Sequence, residues 1–159
     1  MTETERYQRA WHLYEEKHGH LPSSARESVE WAVEEGLIGL SQTDPYDALA
    51  GKMASALRAE YRTDGKGRRY RVNHAIRVTK SGVQYTFWAE MGYAPYEHME
   101  KAFGQRRNQI VGDCGQLKTD VDVYNEMTGS EYPPIQMVLD FTDDVAEREA
   151  LQQDPSLAA

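Results

Sequence analysis

The sequence is poor in the residues that would cross-link the chain or hold it in a membrane. Among its 159 residues there is one cysteine, Cys114, so neither an internal disulfide nor a thiolate zinc site can form within one chain. No apolar run approaches the roughly 18 residues that span a bilayer. Residues 1–20 also lack the apolar centre of a secretory signal. We therefore expect a cytoplasmic protein that does not bind membranes.

Cations are also scarce, and their distribution is uneven. The chain contains 18 Lys and Arg against 26 Asp and Glu, for a formal net charge of -8. Residues 51–80, which we call the basic block, nevertheless contain nine of the 18 cations and only two acids, Glu60 and Asp64. The segments on either side are strongly acidic. Such a separation of charge is typical of a protein with one face for an anionic partner.

The spacing of apolar residues predicts two helices before residue 38. Residues 4–18 place apolar side chains at helical intervals, and Gly19 ends the pattern. Ser24 and Glu27 have the spacing of a capping box, in which each side chain accepts a hydrogen bond from the other residue's backbone amide. A second helix is therefore expected to start there and to end near Leu37.

A third helix is expected from Pro45 to about Tyr61, with Asp44 as its cap. Its apolar residues recur every three or four positions and should be buried: Tyr46, Leu49, Ala50, Met53, Leu57 and Tyr61. The opposite face is small and basic: Ala48, Gly51, Lys52, Ser55, Arg58, Ala59 and Arg62. This helix thus has one face for a core and another for a charged partner.

From Arg69 the apolar spacing changes from helical to alternating, which predicts a β-hairpin over residues 69–89 with its turn at 80–82. The first strand should turn its arginines outward and its other large residues inward: Tyr70, Val72, His74, Ile76 and Val78, with Val83, Tyr85 and Phe87 continuing the alternation. Residues 63–67 are expected to form a flexible cationic loop before this hairpin.

A long helix is expected to begin at Pro95 and to end before Gly129. Its apolar residues become heptad-like from Ile110 onward, which predicts pairing with a second copy through Phe103, Ile110, Cys114, Leu117, Val121 and Tyr124. Thirty helical residues would extend about 45 Å. Gly112 and Gly115 each weaken a helix by about 1 kcal/mol relative to Ala, so a break there is the alternative. Beyond it, Ile135–Phe141 suits a short strand, and 142–151 a last helix.

Three stretches of the chain resemble the HARE-HTH family of winged helix domains. They are SARESVEWAVEEGLI at residues 24–38, TDPYDALAGKMASALR at 43–58 and GRRYRVNHAIRV at 67–78, within a resemblance over roughly residues 4–78. Asp44 between Thr43 and Pro45, and the Asn73-His74 pair, depart from the family pattern. The resemblance implies an α+β fold, a winged helix-turn-helix of three helices and a hairpin, and a DNA-associated role without catalysis.

In a winged helix the third helix would lie in a groove of double-stranded DNA, and the hairpin would contact the backbone. The expected contacts come from the third helix, the loop and the first strand: Lys52, Ser55, Arg58, Arg62, Lys66, Arg68, Arg69 and Arg71. The chain would then comprise a DNA-binding domain at 1–92, a helical dimerisation element at 93–151 and a frayed tail at 152–159. A homodimer would present two such domains to a two-fold DNA site.

Two other interpretations of the charge pattern remain open. In the first, the cations of the basic block pair with the acidic flanks, especially with Glu27, Glu30, Glu34 and Glu35. In the second, the chain is a protein-interaction module or phage-type inhibitor whose acidic C-terminal half binds a basic protein surface, in the manner of a DNA mimic. The net charge of -8 favours this second alternative, because most of the surface would repel DNA.

The residues that could support catalysis or metal binding are explained by simpler roles. His12, His18 and His20 lack companion cysteines or suitably spaced carboxylates. A two-metal nuclease site could in principle gather Asp113, Asp120, Asp122, Asp140, Asp143 and Asp144, but helix capping and a solvated acidic face account for them. We expect a protein that is not an enzyme and has no metal or cofactor.

Overall fold

The structure is a computed structural model that describes residues 1–20, 22–40, 44–154 and 156. Over these ranges the chain is mixed α+β. Its helices are α1 (Glu3–His18), α2 (Ala25–Glu34), α3 (Pro45–Ala59), α4 (Tyr96–Thr128) and α5 (Thr142–Gln153). Its strands are β1 (Tyr61–Thr63), β2 (Arg69–Arg71), β3 (Asn73–Lys80) and β4 (Val83–Glu90). The chain divides into two compact units, Met1–Ala50 and Gly51–Ala159.

Both helices that begin in the first 30 residues start at capping boxes. At α1 the Thr2 hydroxyl accepts from the Glu5 amide at 3.1 Å, and the Glu5 carboxylate accepts from the Thr2 amide at 2.6 Å. At α2 the same exchange between Ser24 and Glu27 occurs at 3.2 and 3.3 Å, as predicted. These bonds satisfy amides that a helix leaves free at its first turn.

The core of the first unit lies between α1 and α2. Ala10, Ala32 and Ile38 are buried, and Trp31 and Leu37 are among the half-buried side chains around them. Small residues at the crossing let the two helices approach closely. The predicted apolar faces are confirmed in part, since Ala10, Tyr14 and Ala32 are buried whereas Tyr7 and Val29 are 44% and 40% exposed. An aromatic cluster of Tyr14, His18 and Trp31 extends this core, with ring centroids 4.3 to 5.7 Å apart.

The apolar stripe of α3 is exposed, and the prediction that it would be buried was wrong for most of its members. Tyr46, Leu49 and Met53 are 81%, 59% and 61% exposed. Periodicity shows which residues share a face but not whether another element covers it. The cap was correctly predicted, since the Asp44 carboxylate accepts from the Tyr46 amide at 2.9 Å. Residues 41–43 lie outside the described ranges.

The alternating region forms two antiparallel strand pairs where one hairpin was predicted. In the first pair, Tyr61 of β1 lies opposite Arg71 of β2, and Thr63 lies opposite Arg69. In the second pair, β3 and β4 are paired along all eight residues. Val72 separates the two pairs: its amide donates to the Glu60 carbonyl at 3.2 Å, and its carbonyl accepts from the Met91 amide at 2.8 Å. Because Val72 is 2% exposed, the ladder breaks at a core position.

The predicted flexible loop at residues 63–67 is an ordered turn between β1 and β2. The Asp64 carboxylate accepts from the amides of Lys66 and Arg68 at 3.0 and 2.9 Å and from the Arg68 side chain at 2.7 Å. These bonds hold the pKa of Asp64 below its usual value. One short acidic side chain therefore orders the turn, which a count of its glycines and cations did not reveal.

α4 is one continuous helix of 33 residues, about 50 Å long. It passes through Gly112 and Gly115 without interruption, which rules out the alternative of a break there. Near its start it packs on β3: Ala102 is buried, and His98 Nε2 lies 2.8 Å from the His74 carbonyl oxygen. This packing places the long helix and the β3–β4 hairpin in one unit.

Residues 133–141 form no helix, paired strand, turn or bend, so the predicted strand Ile135–Phe141 is not part of a sheet in the described structure. Asn125 of α4 holds this segment at one point. Its side-chain amide donates to the Ile135 carbonyl at 2.8 Å and accepts from the Ile135 amide at 2.9 Å. α5 then extends to Gln153. Pro155 and residues 157–159 lie outside the description, so the frayed tail stays a prediction.

Candidate nucleic-acid interface

A cleft of about 600 Å³ lies between the β3–β4 hairpin and the first half of α4. Four arginines from four different elements line this arginine cleft: Arg58 of α3, Arg71 of β2, Arg77 of β3 and Arg106 of α4. Trp88 and the carboxylate of Asp113 also line it. The fold thus gathers cations that are up to 48 positions apart in the chain.

The hairpin register and one glutamine fix two of these arginines. Arg77 lies opposite Thr86 in the β3–β4 ladder. Gln105 of α4 engages the outer backbone edge of Arg77: its carbonyl oxygen accepts from the Arg77 amide at 2.8 Å, and its amide donates to the Arg77 carbonyl at 2.9 Å. Since Arg106 follows Gln105 on α4, these two bonds also hold Arg106 beside β3.

The end of α3 brings in the third arginine. The Asn73 side chain donates to the Leu57 carbonyl at 3.2 Å and so joins the last turn of α3 to the start of β3. The Arg58 guanidinium then lies over the indole ring of Trp88, 5.3 Å from its centroid. Such a cation–π contact contributes about 0.5–1 kcal/mol at an exposed site. It holds Arg58 over the face of the hairpin that also presents Arg77.

Positive charge in the arginine cleft exceeds the negative charge beside it, because four arginines and one acid, Asp113, are among its lining residues. Across residues 1–20, 22–40, 44–154 and 156, no ion pair joins Arg58, Arg71, Arg77 or Arg106 to an acid. Burial lowers the pKa of the neighbouring His74, and the positive charges of Arg106 and Arg71 lower it further. His74 therefore stays neutral near pH 7, and the arginines supply the charge.

Two of the predicted contact residues are engaged by acids. Arg62 donates to the Glu90 carboxylate at 2.8 Å and lies 3.9 Å from that of Glu60, contacts that raise the pKa of its guanidinium. Arg68 pairs with Asp64 at 2.6 Å. Exposed pairs of this kind contribute little stability, but they reduce the charge that these residues offer to an anionic partner.

The other predicted contacts lie outside the lining of the cleft. Arg69 packs over the ring of Tyr61, 4.0 Å from its centroid. The Ser55 hydroxyl donates to the Gly51 carbonyl of its own helix at 3.1 Å. Lys52 and Lys66 are exposed. Of the eight predicted residues, the structure therefore brings Arg58 and Arg71 together in the cleft.

Sequence reasoning missed Arg77, Arg106 and Trp88 as members of this site. Arg77 was recognisable, because it continues the outward alternation of Arg69 and Arg71. The pair at 106–107 was recognisable only as a possible extension of a cationic surface. No local signal identifies Trp88, since its place beside Arg58 depends on the strand register.

Three of the four acids proposed to neutralise the basic block have partners close by. The Glu30 carboxylate accepts from Arg26 at 2.9 Å, and that of Glu35 accepts from Lys17 at 3.1 Å. Glu27 caps α2. These contacts lie within the first unit, and they give those carboxylates local roles.

The predicted dimerisation stripe of α4 offers apolar surface to solvent. Phe103, Ile110, Leu117 and Tyr124 are each between 42% and 50% exposed, and Cys114 and Val121 are half-buried. Phe103 also contacts the His74 ring, with centroids 5.2 Å apart. An apolar stripe of this length is unusual on a monomeric surface.

Two of the three histidines noted in the sequence lie beside one carboxylate, that of Glu15. His12 Nδ1 and His20 Nδ1 lie 3.4 and 3.6 Å from the oxygens of Glu15, whereas His18 Nδ1 lies 2.9 Å from the Tyr14 carbonyl oxygen. In the part of the chain that the structure describes, no three His, Cys, Asp or Glu side chains are grouped so as to hold a metal ion.

Comparison with known proteins leaves this site to be interpreted from its own geometry. No protein-family model matches the chain, and neither the curated proteins nor the solved structures include a significant match to it. None of the described helices combines the length and apolarity needed to cross a membrane.

Proposed function

We propose that this chain is a non-enzymatic, dimeric DNA-binding protein that contacts the phosphate backbone through the arginine cleft. One observation supports this most directly. Four arginines from separate elements line one cleft with a single acid, Asp113, and none of the four forms an ion pair in the described ranges. Keeping four like charges together is unfavourable unless an anion offsets them, so the arrangement favours a polyanionic partner.

Phosphate is the anion that best suits these groups. A guanidinium donates two parallel hydrogen bonds to phosphate oxygens, a geometry that a lysine ammonium cannot reproduce. The cleft volume of about 600 Å³ is too small for a whole duplex but accommodates one backbone strand along its rim. Four contacts would give a salt dependence with a logarithmic slope of about -3 to -4.

A winged helix remains our proposal for the part of the chain that carries the DNA contacts. The order of elements supports it, since three helices precede the strand pairs. In this proposal α3 is the recognition helix, with Lys52 on its exposed face, and the β1–β2 turn with Lys66 is the wing. The exposed stripe of α4 would join two copies, which would place two arginine clefts on one DNA molecule.

The test replaces Arg77 and Arg106, the two cleft arginines that were not among the eight predicted contact residues. The Arg77→Ala/Arg106→Ala variant should bind a 25-base-pair duplex at least about tenfold more weakly in fluorescence anisotropy at low salt. Its salt slope should fall by about two, because two phosphate contacts are lost.

The matched control is Arg148→Ala/Lys118→Ala, which removes the same charge from α5 and from the far half of α4. We expect its affinity to stay within about twofold of the unsubstituted protein. Equal losses in the two variants would indicate general attraction and not a site. Absence of duplex binding by the unsubstituted protein at low salt would contradict the proposal altogether.

A second function is favoured by the charge of the other end of the chain. Residues 113–154 contain eleven Asp and Glu but two Lys and Arg, and most of their carboxylates are exposed. A surface of this kind suits a basic protein or acts as a DNA mimic. Retention on a heparin column supports the arginine cleft as the dominant surface, whereas flow-through with tight binding to an anion exchanger supports the acidic end.

A further inference from the structure

The outer edge of β4 is an open strand edge with a defined set of backbone groups. Gln105 binds the backbone amide and carbonyl of Arg77. The backbone amides and carbonyls of the odd-numbered β3 residues therefore face α4, and those of the even-numbered residues face β4. In the β3–β4 register, the odd-numbered residues of β4 lie opposite the even-numbered residues of β3, so their backbone amides and carbonyls face β3. The amides and carbonyls of Gln84, Thr86 and Trp88 therefore face away from β3, and no strand pairs with them in the described ranges.

A second open edge lies in the segment Ile135–Phe141. Residues 133–141 contain no turn or bend, so the segment is drawn out. The Asn125 side chain bonds to the backbone amide and carbonyl of Ile135, so these two groups face α4. In an extended backbone the amides and carbonyls of Gln136, Val138 and Asp140 then face the opposite way. In the described structure no strand pairs with this segment.

Side-chain patterns on these two edges match. On β4, Val83, Tyr85 and Phe87 form an apolar face and are 52%, 45% and 46% exposed. On the segment, the residues that would share this face are also apolar: Ile135, Met137, Leu139 and Phe141. The opposite face of the hairpin carries Arg77, and the matching face of the segment carries Asp140, so charge is complementary as well.

We propose that Ile135–Phe141 of one copy adds as a third strand to the outer edge of β4 in a second copy of this chain. A two-stranded hairpin with an exposed apolar face is marginal in water, and a third strand is the usual remedy. Reciprocal exchange between two copies uses both open edges of both chains and leaves none free.

A second copy fits better than the chain's own segment. The hairpin is held to α4 at Gln105 and the segment at Asn125, and these anchors are about 30 Å apart along the helix. With both anchors made, the chain leaves its own two edges apart. This inference rests on the self-association in our proposed function, and it is independent of DNA binding.

Engineered cysteines test which edges meet. With Cys114→Ser as background, one preparation would contain Thr86→Cys, and another Gln136→Cys, Val138→Cys or Asp140→Cys. Mixing the two under mild oxidation should give a covalent heterodimer for at least one of the three, because paired strands bring Cα atoms within disulfide range. Failure of all three mixtures would overturn the inference, as would an intrachain disulfide in a monomer that contains both cysteines.

Proline substitutions test the edge without engineered thiols. Val138→Pro removes an amide from the open edge, whereas Met137→Pro removes one from the side of α4 and serves as the control. In sedimentation analysis Val138→Pro should weaken self-association at least about tenfold, since two copies each lose a hydrogen bond and strand fit, and Met137→Pro less than about threefold. A dimer that both prolines leave intact would refute strand exchange while preserving the α4 dimer. A monomeric unsubstituted protein would refute both.

Discussion

The helix pair of the first unit differs from the hairpin and α4 of the second unit in how it buries apolar residues and pairs charges. In the first unit, capped helices enclose a small core and the acids beside it have local partners such as Lys17 and Arg26. In the second unit, the hairpin and α4 leave apolar faces in solvent, and four arginines line a cleft whose lining includes one acid, Asp113. The difference indicates that α1 and α2 form a packed pair, whereas the second unit presents the candidate binding surfaces.

The strongest test of this contrast is a charge placed in the core of the first unit. Ala32 is 1% exposed, so Ala32→Asp would bury a carboxylate with no partner and should cost about 3 kcal/mol or more. Loss of helical circular dichroism at lower urea concentration would measure it. Ala25→Asp makes the same change at an exposed first-turn position of the same helix, where a carboxylate is favourable. Similar denaturation midpoints for the two variants would contradict the assignment of the core.

The corresponding test in the second unit changes association and not folding. Leu117→Asp puts a charge into the exposed stripe of α4, where it should weaken the dimer about 100-fold with little effect on the melting temperature. Thr119→Asp lies on the opposite face of α4 and is the control. Sedimentation equilibrium distinguishes them. If the first variant melts well below the second, the stripe supports folding of the monomer, and the comparison between the units fails.

Local patterns predicted the elements well because short-range interactions determine them. The predicted cap at Ser24 involves a residue three positions away, and the predicted α3 cap at Asp44 involves one two positions away. The break at Val72 was not predictable in the same way. Both sides of that break alternate correctly, and only the contacts of Val72 with Glu60 and Met91 show that the strand changes partner.

The sequence predicted that the candidate site is basic, but it did not predict which residues line it. A high density of cations marked residues 51–80, but whether a cation is free depends on acids that are distant in sequence. Glu90 lies 28 positions from Arg62 and engages it. Arg106, outside the basic block, reaches the cleft because Gln105 pairs with a backbone that is also 28 positions away. Charge density identifies a region, whereas the fold selects the residues within it.

A smaller effect separates a paired cation from a free one within the basic block. Arg71→Ala removes a guanidinium that lines the cleft and should weaken duplex binding about five- to tenfold at low salt. Arg68→Ala removes one that pairs with Asp64 at 2.6 Å, and we expect less than a twofold change. Anisotropy titrations at two salt concentrations measure both. If Arg68→Ala weakens duplex binding more than Arg71→Ala does, the β1–β2 turn and not the cleft is the main DNA contact.

The smallest expected effect concerns the pH dependence of the second unit. Burial holds the pKa of His74 below its ordinary value, so the unfolded chain binds a proton at a higher pH than the folded one does. Stability should therefore be constant above about pH 7 and should fall as the pH is lowered through the unfolded pKa of about 6.5, by at most about 1.4 kcal/mol per pH unit for one proton. Urea denaturation at pH 7.5, 6.5 and 5.5 measures this slope.

The control for His74 is a neutral side chain that can make the same hydrogen bond. His74 Nε2 lies 2.8 Å from the Arg71 carbonyl oxygen, and the amide of glutamine can donate there without titrating. His74→Gln should flatten the slope between pH 7.5 and 5.5, because the glutamine side chain takes up no proton in this range. An unchanged slope would show that another group controls the acid sensitivity. A flatter slope would show that protonation of His74, beside the positive charges of Arg71 and Arg106, contributes the acid sensitivity.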